Sequence, residues 1–474
     1  MFHVCFKIPV QLVLLFIVIS CTPTEKEYKG DLIISNVNII DVRKGGIIQA
    51  MDVIINGDTI TQIVKHGGTF THNSKVIDGT DKYLIPGLWD MHAHDWFAYK
   101  EFTPMLLANG VTGVREMFGE LDRVKEIKDS LATGKLDGPR IISSGQIIDG
   151  SPAAWQGSVE VTSGEQGRVL VRKQLAEGAD FIKVYSLLNK DVYQSIAGEC
   201  KKLNVSMSGH IPIKVKLEEA ISSGHQSAEH FFGILEYCSS KRDSFYTSLQ
   251  NEKFKGFEMD KFTSRLKFIT DTFDSSRVKP LVELLQNNNM WMTPTSVVNR
   301  SAAFLNDSTF TNDKRIIYMP AFITEMWTRS KRSKEDFDVE RKWYKLGLSI
   351  MKRMVNGNVK FLAGTDFGNP YVFPGFSLHD ELEIYVRDAG FTPLQSLQTA
   401  TINPAIFLRS RGGVVEEGKS ADLVLLSANP LDEITNTKLV DGIVLRGVYH
   451  DGTILKKNLE ALAKRDTSNE AVGK

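Results

Sequence analysis

Two histidines, His92 and His94, stand one residue apart at the end of an apolar run, LWDMHAH, residues 88–94. Alternate residues of a β-strand project to one face, whereas helical residues two apart diverge, so this pair converges only on a strand. Alone, such a pair is more often a packed or surface couple than a ligand pair. Three further polar groups close apolar stretches of the same kind: His210 ends VSMSGH, His230 ends HQSAEH and Asp366 ends FLAGTD. Imidazoles and a carboxylate suit zinc and similar divalent ions, and a catalytic ion must keep one position open for water. Four histidines are many for one ion, and they divide naturally between two if an anion bridges them. Lys183, inside the run DFIKVYS (180–186), is the candidate for that anion. An ammonium would be repelled by two cations, but a neutral lysine that takes up carbon dioxide becomes a carbamate and binds metal as a carboxylate does. The other reading is a lysine whose stem lies along the strand ends with its charge in water.

These groups need a scaffold that brings distant strand ends together. Candidate strands are 88–94, 110–117, 140–148, 180–186, 205–210, 225–231, 290–298 and 359–366, with helical patterns at 167–178, 190–203 and 215–224 between several of them. Eight near-continuous apolar strands with helical crossovers fit an α/β fold, a (β/α)8 TIM barrel, in which active sites occupy the C-terminal strand ends. Two long connections, near 232–289 and 299–358, carry amphipathic helical patterns and read as lids over one mouth. The termini differ from this middle. Short apolar runs broken by turns at Gly45-Gly46 and Asn56-Gly57 fill 31–64, and similar material, ADLVLL and LVDGIVLRGVYHDGTIL, returns near the C-terminus. One small β-sandwich built from both terminal segments is the expectation.

The expected organisation is therefore a signal peptide at 1–20, a tether at 21–30, a β-sandwich part at 31–84, the barrel at 85–410, the second β-sandwich part at 411–460 and a polar tail at 461–474. Lys7 followed by the apolar run Val10–Ile19 is too short to span a bilayer but suits a secretory signal. The run ends in Val18-Ile19-Ser20-Cys21, which resembles a bacterial lipobox, so Cys21 is the expected lipidation site and the mature chain an exported cell-envelope lipoprotein, facing the periplasm or the surface. An incidental cysteine after an ordinary secretory signal is the alternative. Of four cysteines, Cys5 and Cys21 lie in this leader, leaving Cys200 and Cys238 for at most one disulfide. Lys+Arg and Asp+Glu both number 57, so no net field draws in nucleic acid or an anionic membrane; the membrane is met only through the lipid.

Other candidates carry less. Arg115 and Tyr185 lie at or near strand ends and could meet a substrate carboxylate or carbonyl, although an arginine in a barrel more often forms a structural ion pair. His225 starts its strand and His379 heads a helical run, so both read as structural, and Trp89, Trp96 and Trp155 read as packing. Residues 413–420, GVVEEGKS, match P-loop spacing, but a helix precedes, a strand follows, and Glu416-Glu417 would repel phosphate. Asp366-Phe367-Gly368 spells a kinase magnesium motif without its companions, and GxSxG is absent.

Taken together, PGLWDMHAH, GVTGVREM, FIKVY, SGH, EH, AGTD, TPLQSLQTATINPA and EEGKSADLVLL resemble the amidohydrolase superfamily of metal-dependent hydrolases, and most closely its imidazolonepropionase-like and Xaa-Pro dipeptidase-like branch. The resemblance implies that His92, His94 and Asp366 hold one metal, that His210 and His230 hold the other, and that carbamylated Lys183 bridges them. It implies two divalent ions, zinc in the first instance, and cleavage of an amide or peptide C–N bond in a small peptide or N-acyl amino acid, as in dipeptidases and carboxypeptidases. Water between two such ions gives up a proton near neutral pH, and Asp366 can accept that proton and deliver it to the departing nitrogen. A single-metal enzyme opening a cyclic amide and an inactive envelope binding protein are the alternatives. Similar enzymes commonly form tight homo-oligomers.

Overall fold

A computed structural model of the chain describes residues 1–2, 27–95, 97–327 and 332–464. The proposed leader, Cys21, most of the tether, Trp96 and the end of the polar tail lie outside the described residues.

The apolar runs of the middle form two parallel sheets. One holds three strands in the order Arg140–Ser143, Val111–Glu116, Leu88–Ala93. The other runs from Val159–Glu160 through Ile148–Asp149, Ile182–Val184, Met207–Gly209, His225–Glu229 and Trp291–Thr293 to Lys360–Phe361. Backbone hydrogen bonds link both edge strands of the first sheet to the second. Met91 N–H reaches Ala363 O at 2.8 Å, Asp366 N–H reaches His92 O at 2.7 Å, and Asp180 N–H reaches Ser143 O at 2.8 Å. Parallel neighbours need crossovers, and the helices Gly164–Ala176, Lys190–Lys202 and Leu217–Ser222 supply them at the expected places. Val111, Val114, Ile182, Val184, Met207, Ala228 and Met292 are all buried, as strands covered on both faces require.

Three expectations change. The single strand at 140–148 is two, divided where Gly145 takes φ +70°, which extended backbone cannot accommodate. The strand at 290–298 stops at Thr293 because Pro294 offers no N–H; the helix Ser296–Phe304 follows, its first N–H groups bonded to the Glu381 carboxylate at 2.8 and 2.7 Å. Lastly, GTIL at 452–455 opens the helix Gly452–Ala463 rather than a strand, with the Asp451 side chain accepting Thr453 N–H at 2.8 Å.

Both ends of the chain do meet in one β structure. Leu423–Leu426 pairs antiparallel with Tyr83–Pro86, and the pairing continues to Leu32–Ile40, Ile47–Asn56 and Thr59–Lys65 on one side and Val440–Leu445 and Val448–Asp451 on the other. The path is one continuous eight-stranded sheet, with Lys75–Asp78 beside Leu32–Ile40, rather than two separately paired layers. Its core, including Ile34, Val37, Val53, Leu423 and Leu425, is separate from that of the parallel sheets. Residues 413–420 form the turn into this sheet, where Glu416 pairs with Arg43.

Both long connections are helical. Lys334–Asn356, capped by Ser333, packs against Met259–Asp271 and Ser296–Phe304, and Thr263 donates to Asp336 at 2.7 Å. Cys200 and Cys238 are buried and free, so no disulfide joins them. No helix among the described residues is long and apolar enough to cross a membrane.

Candidate metal centre

His92, His94, His210, His230 and Asp366 come from the ends of four strands and meet at one place. Asp366 Oδ1 lies 3.0 Å from His94 Nε2 and 3.6 Å from His92 Nε2, and its Oδ2 lies 3.8 Å from His230 Nε2. Ring centroids are 4.6 Å apart for His92 and His230 and 4.9 Å apart for His210 and His230. One donor atom each from His92, His230 and Asp366 fall within 4.8 Å of one another, close enough to share an ion.

The other nitrogen of these rings explains the arrangement. His92 Nδ1 bonds Glu229 Oε2 at 2.9 Å, His210 Nδ1 bonds Ser186 Oγ at 2.8 Å, and His230 Nδ1 bonds Thr295 Oγ1 at 2.5 Å. A carboxylate can only accept from His92, and Thr295 gives its own proton to Pro294 O at 2.8 Å, so it accepts from His230. In both rings Nδ1 carries the proton and Nε2 is bare. His92 Nε2 and His210 Nε2 are buried without any hydrogen-bond partner among the described residues. An unpaired buried acceptor is costly, and a metal is the partner that bare, oriented imidazole nitrogens take. The residues present therefore fit a divalent ion.

Charge and strain agree with this. Burial pushes His92 and His210 well below the ordinary imidazole range, which keeps them in the neutral, ligating form. Burial opposes ionisation of Asp366, but the contact with His94 Nε2 at 3.0 Å, whose imidazole is raised toward its charged form, favours the carboxylate and helps lower its carboxyl from the usual range. Lys183, also buried, is lowered to about 8 by its burial. His230, Thr295 and Asp366 all take left-handed backbone, at φ +59°, +46° and +61°. Such non-glycine conformations persist where the surroundings impose them, often at functional sites.

The two candidate substrate contacts separate. Tyr185 stacks on His210 with centroids 3.9 Å apart and lines the chamber beside it. Arg115 is not available to a substrate. It is fully buried, and its guanidinium bonds Met91 O at 2.6 Å, Ser227 Oγ at 3.0 Å and Glu229 Oε1 at 2.9 Å. It acts beneath the ligands, neutralising the carboxylate that orients His92. His225 bonds Tyr193 and the Ser227 carbonyl, and His379 bonds Thr437, so both are structural as expected.

Glu229, Ser186 and Thr295 were not anticipated. Glu229 stands directly before His230 in the quoted EH pair, and the signal was a carboxylate at the end of a buried strand, His225–Glu229, beside a candidate ligand. Glu229→Gln should weaken metal binding about 10–100-fold, because His92 loses its charged acceptor. It should also lower the thermal midpoint, since Arg115 loses its counter-charge. Metal titration of the variant checks this, and an unchanged affinity would exclude the orienting role.

Beside the ligands lies a chamber of ≈ 410 Å³ that Tyr185, His210, His230 and Asp366 line on one side. Phe245, Tyr246, Phe262 and Leu266 from the first long connection and Val298 and Ala302 at the start of the second line the rest. A larger cleft of ≈ 770 Å³, lined by Arg115, Trp291 and Lys360, contains none of the candidate ligands.

A sequence description of the amidohydrolase family matches residues 83–454. The ochratoxinase of Aspergillus niger is 21% identical over 415 residues, covering 74% of this chain and 71% of that enzyme. An adenine deaminase of Clostridium perfringens is 29% identical over 193 residues, covering 38% of this chain and 33% of that enzyme. Among solved structures, a bottromycin amidohydrolase superposes with a TM-score of 0.70 at 22% identity, covering 92% of this chain and 91% of the other. A Xaa-Pro dipeptidase with methionine bound in its active site does so with a TM-score of 0.63 at 20% identity, covering 89% and 99%. These similarities establish a shared α/β, TIM-barrel-like fold.

Proposed function

The chain belongs to the amidohydrolase family, and from that premise we propose that it hydrolyses the amide bond of a small peptide or N-acyl amino acid at a centre for two divalent ions. As a family member it is a hydrolase acting on carbon–nitrogen bonds. In the reading proposed, His92, His94 and Asp366 hold one ion, His210 and His230 hold the other, and Lys183 lies between them as a carbamate within a closed (β/α)8 barrel. The observation that carries it is the set of histidines around Asp366, two of them with buried Nε2 atoms that meet no partner among the described residues. Lys183 supports the bridge: the charge of Asp366 acts on it, and it sits 5.5 Å from the ring of Tyr185, which stacks on His210.

Bound divalent ions supply Lewis acidity and make water a nucleophile near neutral pH. The chain supplies the rest. Glu229 and Thr295 fix the imidazoles that hold the site. Asp366, whose contact with His94 favours its charged form, takes the proton of the attacking water and passes it to the departing nitrogen. Tyr185 and the chamber walls hold the substrate and limit water around it.

Metal content decides the matter first. About two equivalents of zinc in freshly purified protein, with hydrolysis lost on chelation, is the expected result. A panel of N-acyl amino acids, Xaa-Pro and basic dipeptides, and cyclic amides then assigns the substrate. No metal would refute the proposal, and one equivalent with turnover of cyclic amides alone would replace it by the single-ion reading. The same proposal places the enzyme in the cell envelope as a homo-oligomer, tethered through lipidated Cys21.

A further inference from the structure

The chamber carries one group that hydrolysis does not use. Glu236, in the short helix Ile234–Tyr237, lines its wall, and the carboxyl Oε2 is closed off from solvent without a hydrogen-bond partner among the described residues. The other two carboxylate or guanidinium groups of the long connections on these walls are answered within the fold. Arg265 donates to Glu252 at 3.0 Å, and Glu258 lies 3.0 Å from Lys261.

Around Glu236 the lining is apolar and aromatic. Phe232 lies 5.0 Å from the ring of His210, Phe262 follows 6.2 Å from Phe232, and the exposed Phe257 lies 5.6 Å from Phe262. Burial pushes the Glu236 carboxyl up to about 7, and the same charge adds to the burial that raises the neighbouring Tyr246 hydroxyl. Backbone N–H groups of Gly233 and Glu236 hydrogen-bond the carboxyl and partly offset its burial, which leaves Oε2 as the oxygen without a partner among the described residues; a partly satisfied carboxylate in a cavity beside a reactive centre is a candidate for ligand recognition. Ring faces and a carboxylate attract the same kind of ligand, a cation, and a low local dielectric strengthens both attractions.

We infer that Glu236 is a specificity-determining residue that receives a protonated amine carried on the apolar or aromatic portion of the substrate. The word substrate rests on the hydrolase reading above; the binding of an aromatic ammonium does not.

Calorimetry with the purified full chain separates the two. Phenethylamine, protonated at neutral pH, should bind about tenfold more tightly than the neutral phenethyl alcohol, as expected for a hydrogen bond to a charged group. Glu236→Gln should abolish that preference with little change in thermal midpoint. In hydrolysis, an aminoacyl amide with a free amine should be preferred over its N-acetylated counterpart, and Glu236→Gln should remove that preference, raising KM for the free amine more than it changes kcat. Equal binding of amine and alcohol by the natural protein, or a preference that survives Glu236→Gln, would overturn the inference. A Glu236-dependent preference for the amine without hydrolysis of either substrate would refute the hydrolase reading and leave the inference standing. Hydrolysis with no such preference would do the reverse.

Discussion

Asp366→Asn should lower kcat by about 10²–10⁴-fold, the range expected when a positioned proton acceptor is lost, and leave KM and the thermal midpoint nearly unchanged. Three features make this variant informative. Asparagine matches aspartate in shape and keeps an oxygen toward His94 Nε2, 3.0 Å away in the natural protein. The residue stands at φ +61°, a left-handed conformation that asparagine tolerates better than most residues, so the backbone bond from Asp366 N–H to His92 O at 2.7 Å should survive. What disappears is a carboxylate that can take up a proton, in a group whose contact with His94 favours its charged form. Loss of turnover with metal and fold retained would isolate the proton transfer. Full activity would remove Asp366 from that role and leave it, at most, a ligand.

Lys183→Ala tests the bridge. Lys183 is almost fully buried in the short strand Ile182–Val184, so the substitution leaves a void beside the ligands rather than a new contact. If its carbamate joins two ions, metal content should fall from about two equivalents to about one, and turnover should fall at least about 10²-fold, because the paired centre is what activates water. A short carboxylate such as acetate or propionate, small enough to enter the void, should restore part of the lost activity, and isotopically labelled bicarbonate should mark the natural protein but not the variant. Unchanged stoichiometry would show that Lys183 bridges nothing. A stoichiometry of one in the natural protein, insensitive to the substitution, would favour a single-ion centre built on His92, His230 and Asp366, whose donor atoms already lie within 4.8 Å of one another.

Much of this centre was legible along the chain because strand periodicity is local. His210 and His230 directly follow the buried strands Met207–Gly209 and His225–Glu229, and Asp366 follows the buried run Leu362–Ala363 beyond Lys360–Phe361; a polar side chain just past the C-terminal end of a buried strand is set at the rim. The same reasoning left Arg115, which also comes late in its strand, open between a substrate contact and a structural ion pair. Its real partner, Glu229, is 114 residues away, and nothing near Arg115 in the chain reveals that a carboxylate will meet it beneath the ligands. Thr295 was hidden for a related reason. MWMTPTSVV reads as one β run; Pro294 ends the strand, and the Glu381 carboxylate, 85 residues from Ser296, caps the helix that begins there, while Thr295 meets His230.

By itself, then, the order of residues determined which groups could bind metal, that parallel strands would carry them, and that both termini would share one β structure, since each follows from patterns within a few residues. The tertiary structure alone decided that the Nε2 atoms of His92 and His230 are bare, that Arg115 bonds Glu229 beneath the site, and that the long connections line an apolar chamber with a carboxyl oxygen of Glu236 that meets no partner among the described residues. Those outcomes depend on contacts between segments far apart in the chain, where hydrogen-bond partners and burial, rather than local periodicity, set what a side chain can do.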